Sequence, residues 1–450
     1  MRSAAQEERH APLWAAMAFG VWAAAVAFRP ILAVPAAAVV LIWWTLRTPV
    51  RWLAWFLGAA LLLPPLPIPL GDAGPHPSLI FAALGLFAGA LWSADWRFEA
   101  KSLHLAFVSL FAAMLVSVAP AAIYSGEVAA AGSLARVLLF GISVYVFFFT
   151  ACGPGRDVDA TRAVRLLYAA AVLAALFACV DFYFQFPAPA GYGPQFVWLD
   201  SGVYRRAQGL FYEASTLGNF CAFFLVMIAV ALSRPRRETP VARKWLAIGA
   251  AVLLAALVLS YSRASLLNLA VALAVLLWRN RRRVRVLRIA ALAAAGALAT
   301  WLVFPTFVGV YWLRLSTSAE YFFSATEGVL SGRVASWRTL VDWVSANPWQ
   351  ALTGIGYKTL PYTDYLGAPV VADNMYLSLL VETGLAGLAA LVWLNVAVLR
   401  AALRAKESLF STWILCFWAG QVAQMASGDL LTYWRVLPVY FFVLALALRV

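Results

Sequence analysis

Apolar runs of membrane-spanning length fill this chain, and they leave few folds open to it. Reading such runs between charged residues or Gly/Pro breaks gives fourteen candidates. They lie near 12–27, 30–45, 52–68, 77–92, 103–119, 134–152, 163–184, 214–233, 245–259, 264–278, 286–305, 374–399, 409–427 and 433–449. A spanning helix needs about 20 mostly apolar residues, fewer where the bilayer is thin. The first, second and last runs are short, and would be tilted or only partly inserted. Composition agrees: 64% of the 450 residues are hydrophobic and 12% charged, with mean hydropathy +0.83. Soluble domains carry about 45–50% apolar and about 25% charged residues. The expected fold class is an all-α, polytopic transmembrane helical bundle of about 12–14 spans.

The net charge of +14 would suggest nucleic acid in a soluble protein, but the positions of the charges argue otherwise. If the N-terminus is cytoplasmic and every run spans, 24 of the 34 Lys/Arg fall on the cytoplasmic side. They include the stretch "RNRRRVRVLR" (279–288) and Arg97, Lys101, Arg156, Arg400, Arg404 and Arg449. This is the asymmetry that orients membrane helices, and it also suits anionic lipid head groups. No nucleic-acid partner is expected, and both termini read as cytoplasmic. The four cysteines (Cys152, Cys179, Cys221, Cys416) lie in or beside apolar runs without ligand spacing, and the three histidines are scattered. Neither a disulfide nor a metal site is expected. No cleavable signal is evident, because the first apolar run merges with further spans.

The opposite side then owns the two longest connections, near 185–213 and 306–373, and most of the acidic residues. The chain divides into transmembrane helices over 1–305 with the shorter loop, a large loop over 306–373, and C-terminal helices over 374–450. Long loops in a compact protein usually bind or react with something. In "LSGRVASWRTLVDWVSANPW" (330–349), Ser331 can cap a helix. Val334, Trp337, Leu340, Val341 and Val344 recur at helical spacing, and Asn347-Pro348 stops the run. "GIGYKTLP" (354–361) follows as a Gly-rich turn, too weak a signal for a nucleotide fingerprint.

Several charged residues on that side are candidates for chemistry. In "VYRRAQGLFYEAS" (203–215), Arg205 and Arg206 precede a span and Glu213 stands at its mouth. Arg263 in "LSYSRASLL" occupies a turn so tight that two spans join with almost no loop. A cation there is costly without a partner. Arg333 opens the loop helix. Guanidinium groups hold phosphate in bidentate fashion and keep their charge in low dielectric, so several at a membrane mouth suit a lipid-linked diphosphate. The plainer alternatives are a snorkelling anchor for Arg205 or Arg263, and pairing with Glu327 or Asp342 for Arg333. Asp373, at the head of "DNMYLSLLVETGL", is well placed to cap a helix. Glu382 is either buried in a continuous span or sits where a short helix ends. The second is cheaper.

Four patches resemble the superfamily of O-antigen ligases and O-antigen or exopolysaccharide polymerases. They are "RAQGLFYEASTLGNF" (206–220), "SYSRASLL" (260–267), "SGRVASWRTLVDWVSANPWQALTGIGY" (331–357) and "DNMYLSLLVETGLAGL" (373–388). The first half of the chain matches only as generic spans. The resemblance implies a metal-independent glycosyltransferase of GT-C type, without cofactor, in the bacterial inner membrane and facing the periplasm. It would take a glycan from an undecaprenyl-diphosphate-linked donor and join it to a sugar hydroxyl. By carry-over, Arg206 and Arg263 bind the diphosphate and stabilise the leaving group, and Arg333 assists or orders the loop; the neighbouring Arg205 is a further candidate diphosphate ligand. Where the ligases begin the fourth motif with His-Asn, this chain has Asp373-Asn374. That departure favours a repeat-unit polymerase acting on a lipid-linked acceptor.

On this reading Asp373 caps its helix, faces the cavity and serves as catalytic base, with Glu213 as its rival. Asn374, Tyr357 and Trp337 would contact the acceptor or its sugars, and Trp349 and Tyr362 could also stack on sugar faces. A chain-length regulator and a flippase are the expected partners. A ligase transferring glycan to lipid A core or another acceptor is the nearest alternative. A transporter is the second, although no repeated pair of Gly/Pro-interrupted helices supports it.

Overall fold

The computed structural model describes residues 33–66, 75–99, 101–189, 192–199, 202–280 and 333–449, together with isolated positions (16–17, 20–21, 23, 68, 309, 312–313). The run read at 286–305, most of that at 12–27, and the proposed cap Ser331 with Glu327 lie outside the described residues. Among those residues the chain is helical almost throughout. The first half holds α1 (Ala33–Leu46), α2 (Arg51–Leu62), α3 (Ser78–Leu91), α4 (Ser102–Val116), α5 (Val118–Ala151) and α6 (Ala160–Phe184). A two-stranded hairpin follows: β1 (Phe196–Leu199) pairs antiparallel with β2 (Gly202–Arg205), Phe196 facing Arg205. Then come α7 (Ala214–Leu232), α8 (Arg243–Leu259), α9 (Arg263–Arg279), α10 (Arg333–Ala346), α11 (Pro348–Thr353), α12 (Met375–Arg404), α13 (Leu409–Gln424) and α14 (Leu437–Ala447).

Four helices, α5, α6, α7 and α12, are long and apolar enough to cross a membrane by length and composition. Others are shorter than the runs suggested. Helix α14, at 11 residues, rises only about 16 Å, against roughly 30 Å of hydrocarbon. It is buried on every side, as an all-round apolar helix must be, so protein rather than lipid surrounds it. Helices α7, α13 and α14 form the centre, with α9 against α13, α14 against α5 and α12 against α4. The molecule is an all-α, polytopic membrane protein.

Polar side chains tie this apolar centre together. Asn219 of α7 and Asn268 of α9 each donate to both Gln421 and Gln424 of α13, at 2.7–3.0 Å. Tyr440 of α14 donates to Asn219 at 2.7 Å. In a medium without water, such bonds fix which helix faces meet, at roughly 0.6 kcal/mol each. Gly420 permits the approach, since a Cβ there would lie 2.3 Å from the Asn268 side-chain oxygen. Arg435, also buried, donates to the carbonyls of Ala60 (2.9 Å), Leu63 (2.8 Å) and Leu210. Two of these end α2, where carbonyls lack helical partners and the dipole favours a cation.

The large loop has a small core of its own. Leu340, Ile355, Leu360, Val370, Ala372 and Val381 cluster, with Trp343 and Val344 against them. The expected stripe of α10 needs one correction: Val341 is exposed, and Trp343 packs in its place. The loop is anchored where α12 breaks. Gly384 has φ 72° and ψ −173°, interrupting the helix one turn past Leu379–Val381. The carbonyls of Val381 and Glu382 accept instead from Ile355 (3.0 Å) and Gly356 (2.8 Å). The helix breaks here, as the short-helix reading expects, but Glu382 is buried at the break rather than set at an interface.

A Cβ on Gly384 would sit 2.2 Å from the Leu352 carbonyl oxygen, on a backbone no L-residue favours. Gly384→Ala should lower the thermal unfolding midpoint in detergent, by the equivalent of about 2 kcal/mol or more. Gly58→Ala, in the open interior of α2 with nothing within 4 Å, should leave it unchanged or raised.

Candidate active site

Five separated segments converge on one cavity of about 390 Å³. Arg206 and Glu213 come from the stretch between β2 and α7, Arg263 from the start of α9, and Arg333 from the start of α10. Lys358 and Asp373 come from the large loop, and Asp429 and Tyr433 from the α13–α14 connection. The structure thus brings together five residues singled out in the sequence: Arg206, Glu213, Arg263, Arg333 and Asp373.

Local sequence explains how each is held. Ser262 caps α9 by accepting from the Ser265 amide at 3.4 Å, and its hydroxyl lies 2.8 Å from that of Ser265. This puts Arg263 at the first helical position, where the dipole disfavours a cation. An anion in the cavity would find both a guanidinium and a helix N-terminus. The serine turn seats against α7 at Gly218, where a Cβ would lie 2.8–2.9 Å from Ser260, Ser262 and Ser265. Arg206 runs beside the same turn: its Nε donates to the Ser260 carbonyl at 2.8 Å, and the Ala207 amide donates to Leu259 at 2.9 Å. Burial draws the Arg206 guanidinium below its usual value; Tyr433 and Glu213 oppose this, while Arg333 and Arg263 add to it. The three guanidiniums therefore lie close enough to feel one another.

Asp373 does not cap α12. Asn374 does, accepting from the amides of Tyr376 (3.1 Å) and Leu377 (3.2 Å). Capping needs extended backbone, which Asn374 has, whereas Asp373 is left-handed at φ 44°. That twist turns the Asp373 carboxylate toward Arg333, whose Nε and terminal nitrogen both lie 3.0 Å from one oxygen. Of the partners expected for Arg333, Glu327 lies outside the described residues, and Arg333 pairs not with Asp342 but with the cavity's own carboxylate. Among the described residues, five non-glycines have positive φ, and three of them, Tyr261, Lys358 and Asp373, line this cavity. Such conformations persist only where surrounding structure imposes them, and they cluster at functional sites.

The remaining sequence candidates are otherwise engaged. Arg205 is not in the cavity; it pairs with Asp181 of α6 at 3.6 Å, with both side chains mostly buried. Tyr357 is buried beneath the loop, and its amide donates to Ser117 at 3.1 Å. Trp337 spends its indole N–H on the Ala372 carbonyl at 2.6 Å, and so supports the Asp373 segment from behind. Trp349 is exposed, and Tyr362 accepts from Arg136 at 2.8 Å.

Sequence reasoning missed Lys358 and Asp429, an ion pair inside the cavity. Burial disfavours the Lys358 ammonium, but the Asp429 and Glu382 carboxylates outweigh it and hold the group above its usual value. Asp429 was legible by the argument applied to Arg263, for it too occupies a short connection between apolar runs. Lys358 carried no such signal, because the glycines around it drew the reading to the backbone.

Glu213 shows what the cavity does to a carboxyl. Burial pushes it above the ordinary carboxylate range, although the Thr216 hydroxyl donates to it at 2.6 Å and the Arg206 charge pulls it down. A carboxyl raised on folding stabilises the fold below its unfolded value and loses that contribution as pH rises through the folded value. Glu213→Gln keeps the acceptor for Thr216 but cannot ionise. Its unfolding midpoint should therefore exceed that of wild type near pH 8, and the difference should vanish toward pH 4, as measured by thermal unfolding across that range.

Comparison with curated proteins found no match. The family model described as O-antigen ligase matches residues 248–392. That stretch includes Arg263, Arg333, Lys358 and Asp373, while Arg206, Glu213, Asp429 and Tyr433 complete the cavity from outside it. The match covers about a third of the chain, and over that stretch it supports a relation to the O-antigen ligase and polymerase superfamily.

Proposed function

We propose that the protein is a polysaccharide repeat-unit polymerase, transferring a glycan from an undecaprenyl-diphosphate-linked donor to a sugar hydroxyl of a lipid-linked acceptor. The observation that carries this reading is the convergence of Arg206, Arg263 and Arg333 with Glu213, Asp373 and Asp429 on one cavity at the mouth of the membrane helices. Three guanidiniums and the α9 N-terminus match a diphosphate, which carries several oxygens at fixed spacing. The carboxylates supply what a hydroxyl needs to become a nucleophile.

In the proposed step the acceptor oxygen attacks the anomeric carbon while the bond to the diphosphate breaks. The hydroxyl proton passes to a cavity carboxylate, and undecaprenyl diphosphate leaves with inverted configuration at the sugar. Charge grows on the departing diphosphate, so Arg206 and Arg263 bind it more strongly as the bond breaks, which is what lowers the barrier. Arg333 holds Asp373 and closes the loop helix over the site. Glu213, kept basic by burial, and Asp373, with one oxygen engaged by Arg333, are the two candidates for base. The inner membrane and a periplasmic site belong to the same proposal. So do a chain-length regulator and a flippase as partners.

The polymerase reading, rather than the ligase one, rests on Asp373 standing where ligases of the superfamily carry histidine. Complementation of a polymerase-deletion strain tests it, by sizing the lipid-linked glycan. Wild type should restore a ladder of repeats. Arg206→Ala and Arg263→Ala, at equal abundance, should reduce elongation about 100-fold or more and leave single repeats. A glycan found instead on lipid A core or another acceptor would assign the chain to the ligases. Asp373→Asn with full activity would move the base to Glu213, and Glu213→Gln would then be inactive.

A further inference from the structure

A second and larger cavity, of about 750 Å³, lies at the other ends of the same helices. Helices α5 and α12 start beside the first site, at Ser117 and Asn374, and end here at Cys152 and Arg404; α14 runs the same way from Tyr433 to Arg449. Helix α4 runs in the opposite sense, from Ser102 here to Ser117 there. The two cavities therefore lie at opposite ends of the helical bundle.

This cavity is lined by Arg97, Lys101, Arg156, Arg400, Arg404 and Arg449, and by a single carboxylate, Glu99, which Lys101 already engages at 2.7 Å. Asp157 acts on Arg449 electrostatically but is not part of the lining. The cations come from four parts of the chain far apart in sequence, so no local charge run explains their convergence. Arg449 is built in: it donates to the carbonyls of Thr150 and, at 2.7 Å, Gly155. Arg156 donates to the Asp95 carbonyl at 3.2 Å. The Nε atoms of both Arg156 and Arg449 are buried and have no hydrogen-bond partner among the described residues. Arg97, Lys101, Arg400 and Arg404 are exposed at the rim. Between them, the small side chains of Ala151, Ala397, Ala401 and Ala445 make an apolar floor. Like charges held together in this way repel unless an anion joins them.

We propose that this cavity binds the phosphate head group of an anionic lipid, with the acyl chains leaving over the alanine floor. Six cations and the volume suit a head group carrying two phosphates better than a single phosphate. The apolar floor distinguishes a lipid from a free phosphate, which needs none. The site is separate from the chemistry at the other end of the bundle and stands whether or not the polymerase reading holds.

The test uses the full chain purified in neutral detergent, with cardiolipin, phosphatidylglycerol, phosphatidylcholine and inorganic pyrophosphate added in turn. Thermal unfolding and native mass spectrometry read the binding. Cardiolipin should bind saturably and raise the unfolding midpoint, and phosphatidylcholine should not. Arg400→Gln/Arg404→Gln should weaken cardiolipin binding about 30-fold, from the loss of two cations near a head group. Arg97→Gln serves if that pair does not fold, and should weaken binding several-fold. Arg236→Gln/Arg237→Gln removes two exposed cations elsewhere and should change nothing. Equal loss in that control would reduce the effect to general surface charge and overturn the site, as would unchanged binding in the cavity variants. If pyrophosphate alone reproduces the whole stabilisation, the occupant is a soluble phosphate and the lipid assignment falls.

Discussion

The site depends on one backbone interlock. Where Gly384 breaks α12, two freed carbonyls are taken up by the amides of Ile355 and Gly356. A glycine on each side allows the chains to approach within a distance no side chain would tolerate: a Cβ on Gly354 would meet the Glu382 oxygen at 2.4 Å. On the far side Gly356 presses on Ala121 of α5. This wedge seats the large loop against the bundle. It sets Lys358 at left-handed φ facing Asp429, and leaves Asp373 one residue ahead of the rebuilt helix start, facing Arg333.

The cavity assembled around this wedge is dense in charge for a protein with so few charged residues. Four cations and three carboxylates line it. Two of the carboxylates are matched by cations in the resting structure, Asp373 by Arg333 and Asp429 by Lys358. An incoming anion would compete with those carboxylates for the same guanidinium and ammonium groups. Binding a diphosphate and freeing a base would then be one event rather than two. The polar knot of Asn219, Asn268, Gln421, Gln424 and Tyr440 lies deeper in the same helices. It fixes the relative rotation of α7, α9 and α13, which between them carry Glu213, Arg263 and the approach to Asp429.

Both ends of the bundle concentrate cations, but they are arranged differently. At the family-matched end they are interleaved with carboxylates, as a site must be that moves a proton as well as binding an anion. At the other end one carboxylate stands among six cations, an arrangement that can attract and hold but has little to do acid–base chemistry with. Six of the cations that the sequence assigns to one side are thus gathered into this cavity.

The sequence by itself determined the class of fold, because hydropathy and helix length are local properties that no tertiary contact can reverse. It also marked Arg206, Glu213, Arg263, Arg333 and Asp373, since a charge at a membrane mouth is costly enough to stand out wherever it occurs. Tertiary structure decided which of these charges meet. Arg205 and Arg206 are adjacent in sequence, yet Arg205, the last residue of β2, pairs with Asp181, and Arg206, just past the strand, lines the cavity. Asp373 and Asn374 are equally good caps on propensity, and only the backbone twist imposed by the loop's packing separates their roles. Lys358 and Asp429, 71 residues apart, become a pair through contacts that no window of the sequence contains. Propensity and hydropathy act within a few residues, whereas a binding site is a set of distances between segments, and those exist only once the helices have packed.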